Sequence, residues 1–196
     1  MTQIAILRHG PTDWNEEGRF QGRADRFLSE AGRLEVAGWR LPEDVKAWRV
    51  MASPLSRARK TALLLTGREP DVDARLIEMD FGDWEGERLA DLRQRLGEEM
   101  RLNEARGLDF TPPGGESPRM VMDRLRPLLA ELGEAGDSCL IIAHKAVIRA
   151  LYAMATGWDM TADAPTKLRN ACLHRFDLSA DGALSVVALN EALTSG

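Results

Sequence analysis

The chain opens on an apolar run, Ile4-Ala5-Ile6-Leu7, that stops at Arg8-His9-Gly10-Pro11. A short run rich in β-branched residues and closed by Gly and Pro predicts a buried strand entering a loop. Ser29 has the character of an N-cap for a helix over residues 30–39, and Pro42 marks its exit. A second strand is predicted over 48–52 and ends at Ser53-Pro54. Residues 55–66 follow with helical spacing, and Gly67 suits their stop. Residues 72–77 predict a short third strand. Charged and leucine-spaced at Leu89, Leu92 and Leu96, the stretch 87–106 predicts one amphipathic surface helix. After the loop Thr111-Pro112-Pro113-Gly114-Gly115, Ser117-Pro118 supplies an N-cap and a first-turn proline for a helix reaching about Leu132. Residues 138–143 form the most apolar strand candidate, running through His144 into a helix that ends at Gly157. Finally, 172–178 and 184–189 flank Ser179-Ala180-Asp181-Gly182 as a hairpin.

Strands alternating with helices predict an α/β fold with a mostly parallel central sheet, to which the last hairpin adds antiparallel edge strands. One domain over 1–196 is expected, with 87–110 as a helical cap inserted into it. The hydrophobic fraction of 44% and charged fraction of 29% are those of an ordinary soluble globular chain. The longest apolar runs are too short for a bilayer, and Met1-Thr2-Gln3 leads into the first strand without the pattern of a secretory signal. Of the two cysteines, Cys139 and Cys172, both fall in strand-like segments and are expected as small core residues rather than a disulfide. A cytoplasmic location follows as the expectation. The net charge of −5 argues against a nucleic-acid surface, and no membrane partner is expected. It leaves a phosphorylated substrate open, because anion binding depends on local cations.

Ligands of open α/β sheets gather beyond the carboxyl ends of the strands. Three such ends carry chemistry here: Arg8-His9-Gly10, the stretch from Ser53 to Arg57, and His144. Brought together, they would set two imidazoles beside two guanidiniums. A neutral imidazole is a competent nucleophile towards phosphorus. Planar arginine forks bind the equatorial oxygens of the transferring group two at a time and stay charged. A leaving alkoxide needs a proton, and a carboxyl group with a raised pKa can give it near neutral pH; Glu78, after the third strand candidate, suits that role. His174, inside an apolar strand pattern, reads as a packing residue.

Taken in order, the motifs resemble the histidine phosphatase superfamily, the phosphoglycerate-mutase-like enzymes, over nearly the whole chain. Arg8-His9-Gly10-Pro11-Thr12-Asp13-Trp14-Asn15 looks like that family's nucleophile motif, followed by Gln21-Gly22 and Leu28-Ser29-Glu30-Ala31-Gly32. Ser53-Pro54-Leu55-Ser56-Arg57-Ala58 with Thr61-Ala62 looks like the segment supplying a second phosphate arginine. Leu76-Ile77-Glu78 through Gly82-Asp83-Trp84-Glu85-Gly86 is similar to the segment of the proton donor, and Gly114-Gly115-Glu116-Ser117 and His144 with Arg149 complete the series. The resemblance implies a three-layer α/β/α sandwich, His9 as the phosphorylated nucleophile and Glu78 as general acid. It further implies Arg8, Arg57 and His144 in the phosphate pocket, lined by Asn15, Gln21 and Gly22. No metal and no cofactor are implied. Pro11 stands where the family usually has an acidic residue, and Lys145 where it often has Gly. Lys145 either adds a phosphate contact, lowers the pKa of His144 by like-charge repulsion, or points into solvent.

The expected reaction is phosphomonoester hydrolysis on a small phosphorylated metabolite. The resemblance implies that mutases carry longer insertions with extra basic residues for a second phosphate, whereas 87–110 mixes arginines with many carboxylates, and the compact form of this short chain looks more like the broad-specificity or α-ribazole-type phosphatases. Mutase-type phosphoryl transfer is the alternative, followed by a non-catalytic phosphate- or phosphopeptide-binding module. The substrate would be set by the surroundings of Trp84, Arg88 and Arg106. The oligomeric state is open, a homodimer included.

Overall fold

The computed structural model describes residues 2–195. Its architecture follows from alternation along β1 (Thr2–Arg8), which sends Ile4 and Ile6 into one core and Ala5 and Leu7 into another. Successive strand side chains point to opposite faces, so a strand apolar at every position must be covered on both sides. β3 (Arg49–Ala52) and β5 (Cys139–Ala143) behave alike, with Met51 and Ile141 in the first core and Val50, Ala52, Leu140 and Ile142 in the second. Over the first face lie α6 (Pro118–Ala135) and α7 (Lys145–Thr156), through residues such as Leu125, Leu129, Val147 and Leu151. Over the second lie α2 (Glu30–Gly38) and α3 (Ser56–Thr66), through Val36, Ala58 and Ala62. The result is the expected three-layer α/β/α sandwich.

The central sheet has six strands in the order β4-β3-β5-β1-β6-β7, where β4 is Asp71–Val72, β6 Cys172–Leu178 and β7 Leu184–Ala192. β4, β3, β5 and β1 pair in parallel, while β6 and β7 add the antiparallel hairpin edge. A separate two-stranded pairing joins β2 (Trp39–Arg40) to β8 (Thr194–Ser195), and a single turn, α1 (Asp13–Glu16), follows the first strand. Cys139 and Cys172 are free and buried. Among the described residues no helix is long and apolar enough to cross a membrane.

Two expectations need correction. The third strand is only the two residues of β4; Ala74–Leu76 is a 3₁₀ turn, begun by the Asp73 carboxylate accepting from the Arg75 N–H at 2.8 Å. That local bond competes with sheet pairing. The single helix over 87–106 is two, α4 (Leu89–Leu96) and α5 (Glu98–Glu104). Gly97 between them has φ 51°, ψ −116°, backbone open in practice to glycine alone. The pair folds over its own small core of Trp84, Leu92 and Met100, with Phe20, Phe81 and Phe110 against it.

Candidate active site

Register decides which loops meet. Arg8 pairs with Ala143 and Ala52 with Ile142, and the pairing runs one step further: the His9 N–H donates to the Ala143 carbonyl (3.0 Å) and the Ser53 N–H to the Ile142 carbonyl (3.1 Å). The first residues beyond three parallel strands, His9, Ser53 and His144, therefore share one edge of the sheet. The two imidazole centroids stand 5.1 Å apart.

His9 Nδ1 lies 2.7 Å from the Gly10 carbonyl oxygen. A carbonyl can only accept, so the neutral ring carries its proton on Nδ1 and leaves the lone pair on Nε2. His9 is 6% exposed; burial first, then the charges of Arg8 and Arg57, hold its pKa well below the ordinary 6.5. His144 is fully buried at the N-cap of α7, with Nε2 2.7 Å from the Ser53 hydroxyl. Burial and then His9, Arg57, Arg8 and Arg124 keep it neutral too.

Arg57, one residue into α3, has no exposed surface. Its two terminal nitrogens donate to the carbonyls of Ala24 and Gly22, each at 2.8 Å. The loop that offers those carbonyls is pinned in turn by the Glu85 carboxylate, which accepts from the N–H groups of Arg23 (2.6 Å) and Ala24 (3.0 Å). Gly22 has φ +51°, and a Cβ there would collide with Glu85. Thr61 ties the layers together: its hydroxyl accepts from the Gly10 N–H (2.9 Å) and donates to the Arg57 carbonyl (2.7 Å). Arg8 donates through Nη1 to the Asn170 side-chain oxygen (2.9 Å).

Among the described residues, the buried side-chain nitrogens and oxygens without a hydrogen-bond partner are Arg8 Nε, Arg57 Nε, His144 Nδ1 and Gln21 Oε1. Each such group costs about 1–3 kcal/mol if nothing satisfies it, and all four belong to residues expected at this site. Two of the four are guanidinium N–H donors, and His144 Nδ1 is a third in the tautomer whose Nε2 accepts from the Ser53 hydroxyl. Such a set can donate to the oxygens of a tetrahedral anion.

Glu78, 7% exposed, completes the set. Its carboxylate accepts from the Met79 N–H (2.9 Å) and from the Ala146 N–H in the first turn of α7 (3.2 Å). Burial raises its pKa above the ordinary 4.5; the Met79 N–H, Arg57, Arg8 and the Ala146 N–H pull the other way without prevailing. The loop is steadied by Arg124, which donates to the Ile77 carbonyl (2.6 Å) and pairs with Glu116 (3.3 Å). Gly114-Gly115 has a steric cause: a side chain on Gly115 would meet the Asp80 carbonyl.

Asn15 spends its side-chain oxygen locally, accepting from the N–H and hydroxyl of Thr12, each at 3.1 Å, in the capping box of α1. Lys145 is exposed and lines two outer spaces. One, about 490 Å³, lies between Phe20, Phe81, Leu89 and Trp158; the other, about 470 Å³, borders Arg8. Sequence reasoning gave no role to Ser53, Thr61, Glu85 or Asn170. Ser53, Thr61 and Glu85 sat inside the family-like motifs, whereas Asn170, 162 residues from its partner, left no signal. Among the described residues no group of three or more His, Cys, Asp or Glu side chains is arranged to hold a metal ion.

The family model described as histidine phosphatase superfamily (branch 1) matches residues 4–192. The chain belongs to that superfamily. A bifunctional protein of Mycobacterium tuberculosis is 33% identical over 198 residues, 97% of this chain and 54% of its own length. The chain thus spans about half of that relative. A probable phosphoglycerate mutase of Klebsiella pneumoniae is 31% identical over 186 residues, 90% of this chain and 85% of that protein. Among solved structures, a mycobacterial glucosyl-3-phosphoglycerate phosphatase complexed with VO3 superposes with a TM-score of 0.80 at 30% identity, covering 98% of this chain and 100% of that one.

Proposed function

We propose that the protein hydrolyses small phosphate monoesters through a phosphohistidine formed on His9 Nε2. The observation that carries the proposal is the cluster of buried, partnerless donors on Arg8, Arg57 and His144 around a neutral imidazole with a free Nε2. The phosphoryl oxygens take those N–H groups, which brings phosphorus in line with Nε2 and stabilises charge in transfer. As the P–O bond to the alcohol breaks, the leaving oxygen takes the proton of Glu78. Water then attacks the phosphohistidine, returns its proton to Glu78, and inorganic phosphate departs with Nε2 restored. Gln21, the Gly22 backbone and Asn15 line the pocket, and the segment 87–110 acts as a cap over the alcohol portion. Free Cys139 and Cys172 suit a reducing compartment such as the cytoplasm.

The mutase-like relative supports a second reading, in which the phosphoryl group returns to a bound alcohol instead of water. Both readings are tested by incubating the protein and His9→Ala with p-nitrophenyl phosphate and 3-phosphoglycerate under chelator. Hydrolysis that the variant loses supports the phosphatase. Conversion of 3- to 2-phosphoglycerate without phosphate release supports the mutase, and persistence of either reaction in His9→Ala removes the phosphohistidine.

A further inference from the structure

The bay beside Arg8 holds charge that hydrolysis of a simple phosphate ester does not use. Its wall carries Arg8, Lys145, Arg149, Lys167 and Arg169, with Asp163 as the single carboxylate. None of the five cations has a salt-bridge partner among the described residues, whereas many cations elsewhere do, as in Arg119–Asp109 and Arg175–Glu191, both at 2.7 Å. The placement runs against local preference. Lys145 is the first residue of α7, whose first turn has no acidic residue, although a helix N-terminus favours negative charge. Arg149 follows at i+4, a like-charge pair that opposes the helix, and it is held over the Trp158 ring at 4.6 Å.

Arg8 joins the bay to the phosphate pocket. Its Nε is one of the buried partnerless donors, while its Nη1 bonds Asn170 on the wall of the bay. One guanidinium thus borders both spaces, so two anions held there lie within the span of a small molecule. We infer that the preferred substrate carries a second anionic group, a carboxylate or a second phosphate, which the bay binds while the scissile phosphoryl sits at His9. The inference rests on the phosphatase reading and adds a substrate class to it.

The test is a matched set of esters: glycerol 3-phosphate against 3-phosphoglycerate for a carboxylate, and fructose 6-phosphate against fructose 1,6-bisphosphate for a second phosphate. Both kcat/KM and equilibrium binding are measured for the wild type, Lys145→Ala/Arg149→Ala and Lys167→Ala/Arg169→Ala. The doubly anionic member of at least one pair is expected to be favoured by about tenfold or more, the worth of one hydrogen bond to a charged group. Both double variants shrink that ratio, and a ratio is insensitive to a partly unfolded sample. Which pair shows the preference identifies the second anion. Hydrolysis of all four esters without preference, or a preference that survives both variants, overturns the inference and leaves the phosphatase standing. Charge-selective binding lost in both variants, without any hydrolysis, supports the bay and overturns the phosphatase instead. Neither hydrolysis nor selective binding overturns both.

Discussion

Protonating either pocket imidazole would place a new cation between two arginines, away from water. Both rings are therefore held well below 6.5, and the sign of the consequence is fixed. A histidine with a depressed folded-state pKa binds fewer protons folded than unfolded, so its stability contribution is complete above the unfolded value and drains away as pH falls through 6.5. The melting temperature of the wild type should therefore fall more steeply between pH 7 and pH 5 than that of His9→Ala; parallel curves would contradict the depressed pKa. Glu78 is shifted the other way and donates only while protonated, so kcat/KM should decline as pH rises through its elevated pKa. Glu78→Gln should abolish that decline and cost about 10²- to 10⁴-fold on an alkyl phosphate. The loss should be much smaller on p-nitrophenyl phosphate, whose leaving group needs little help from a proton. Equal losses on both esters would show that Glu78 is not the acid.

The helices and strands show where the sequence was legible. Ser29, Ser117, Gly67 and Gly157 mark real helix ends because capping is local chemistry: Ser29 accepts from the Gly32 N–H at 3.0 Å and Ser117 from the Met120 N–H at 3.2 Å, while Gly67 and Gly157 adopt left-handed backbone. The break at Gly97 was not legible, because apolar spacing continues across it from Leu96 to Met100 and a glycine within a helical pattern only weakens the pattern. The short β4 escaped for a similar reason; Asp73 turns the chain with one side-chain bond that hydropathy does not register. Gly97→Ala should cost about 1–3 kcal/mol through strain at positive φ, appearing first as faster proteolysis within 87–110. An unchanged cleavage pattern and melting temperature would show that the α4–α5 turn relaxes without cost.

Convergence of distant residues belongs to the whole molecule. The strand ends could be named from sequence, but that His9, Ser53 and His144 share one edge depends on β1, β5 and β3 lying side by side in register. The Arg8–Asn170 and Glu85–Arg23 contacts depend on it as well, which is why recurring motifs pointed to the pocket and its supports stayed hidden. A pocket with so many unsatisfied donors should be stabilised by its ligand. Vanadate or phosphate at a hundred times its Kd should add about 2.7 kcal/mol, near 5–11 °C in a chain of this size, and less in Arg8→Ala; an equal shift in that variant would place the anion elsewhere. The decisive measurement is rapid acid-free quenching of turnover with ³²P-labelled substrate, followed by peptide mapping. A transient, acid-labile and alkali-stable label on the peptide containing His9, absent from His9→Ala, is the expected result. Turnover with no labelled enzyme, or with the label on another residue, would contradict a phosphohistidine at His9.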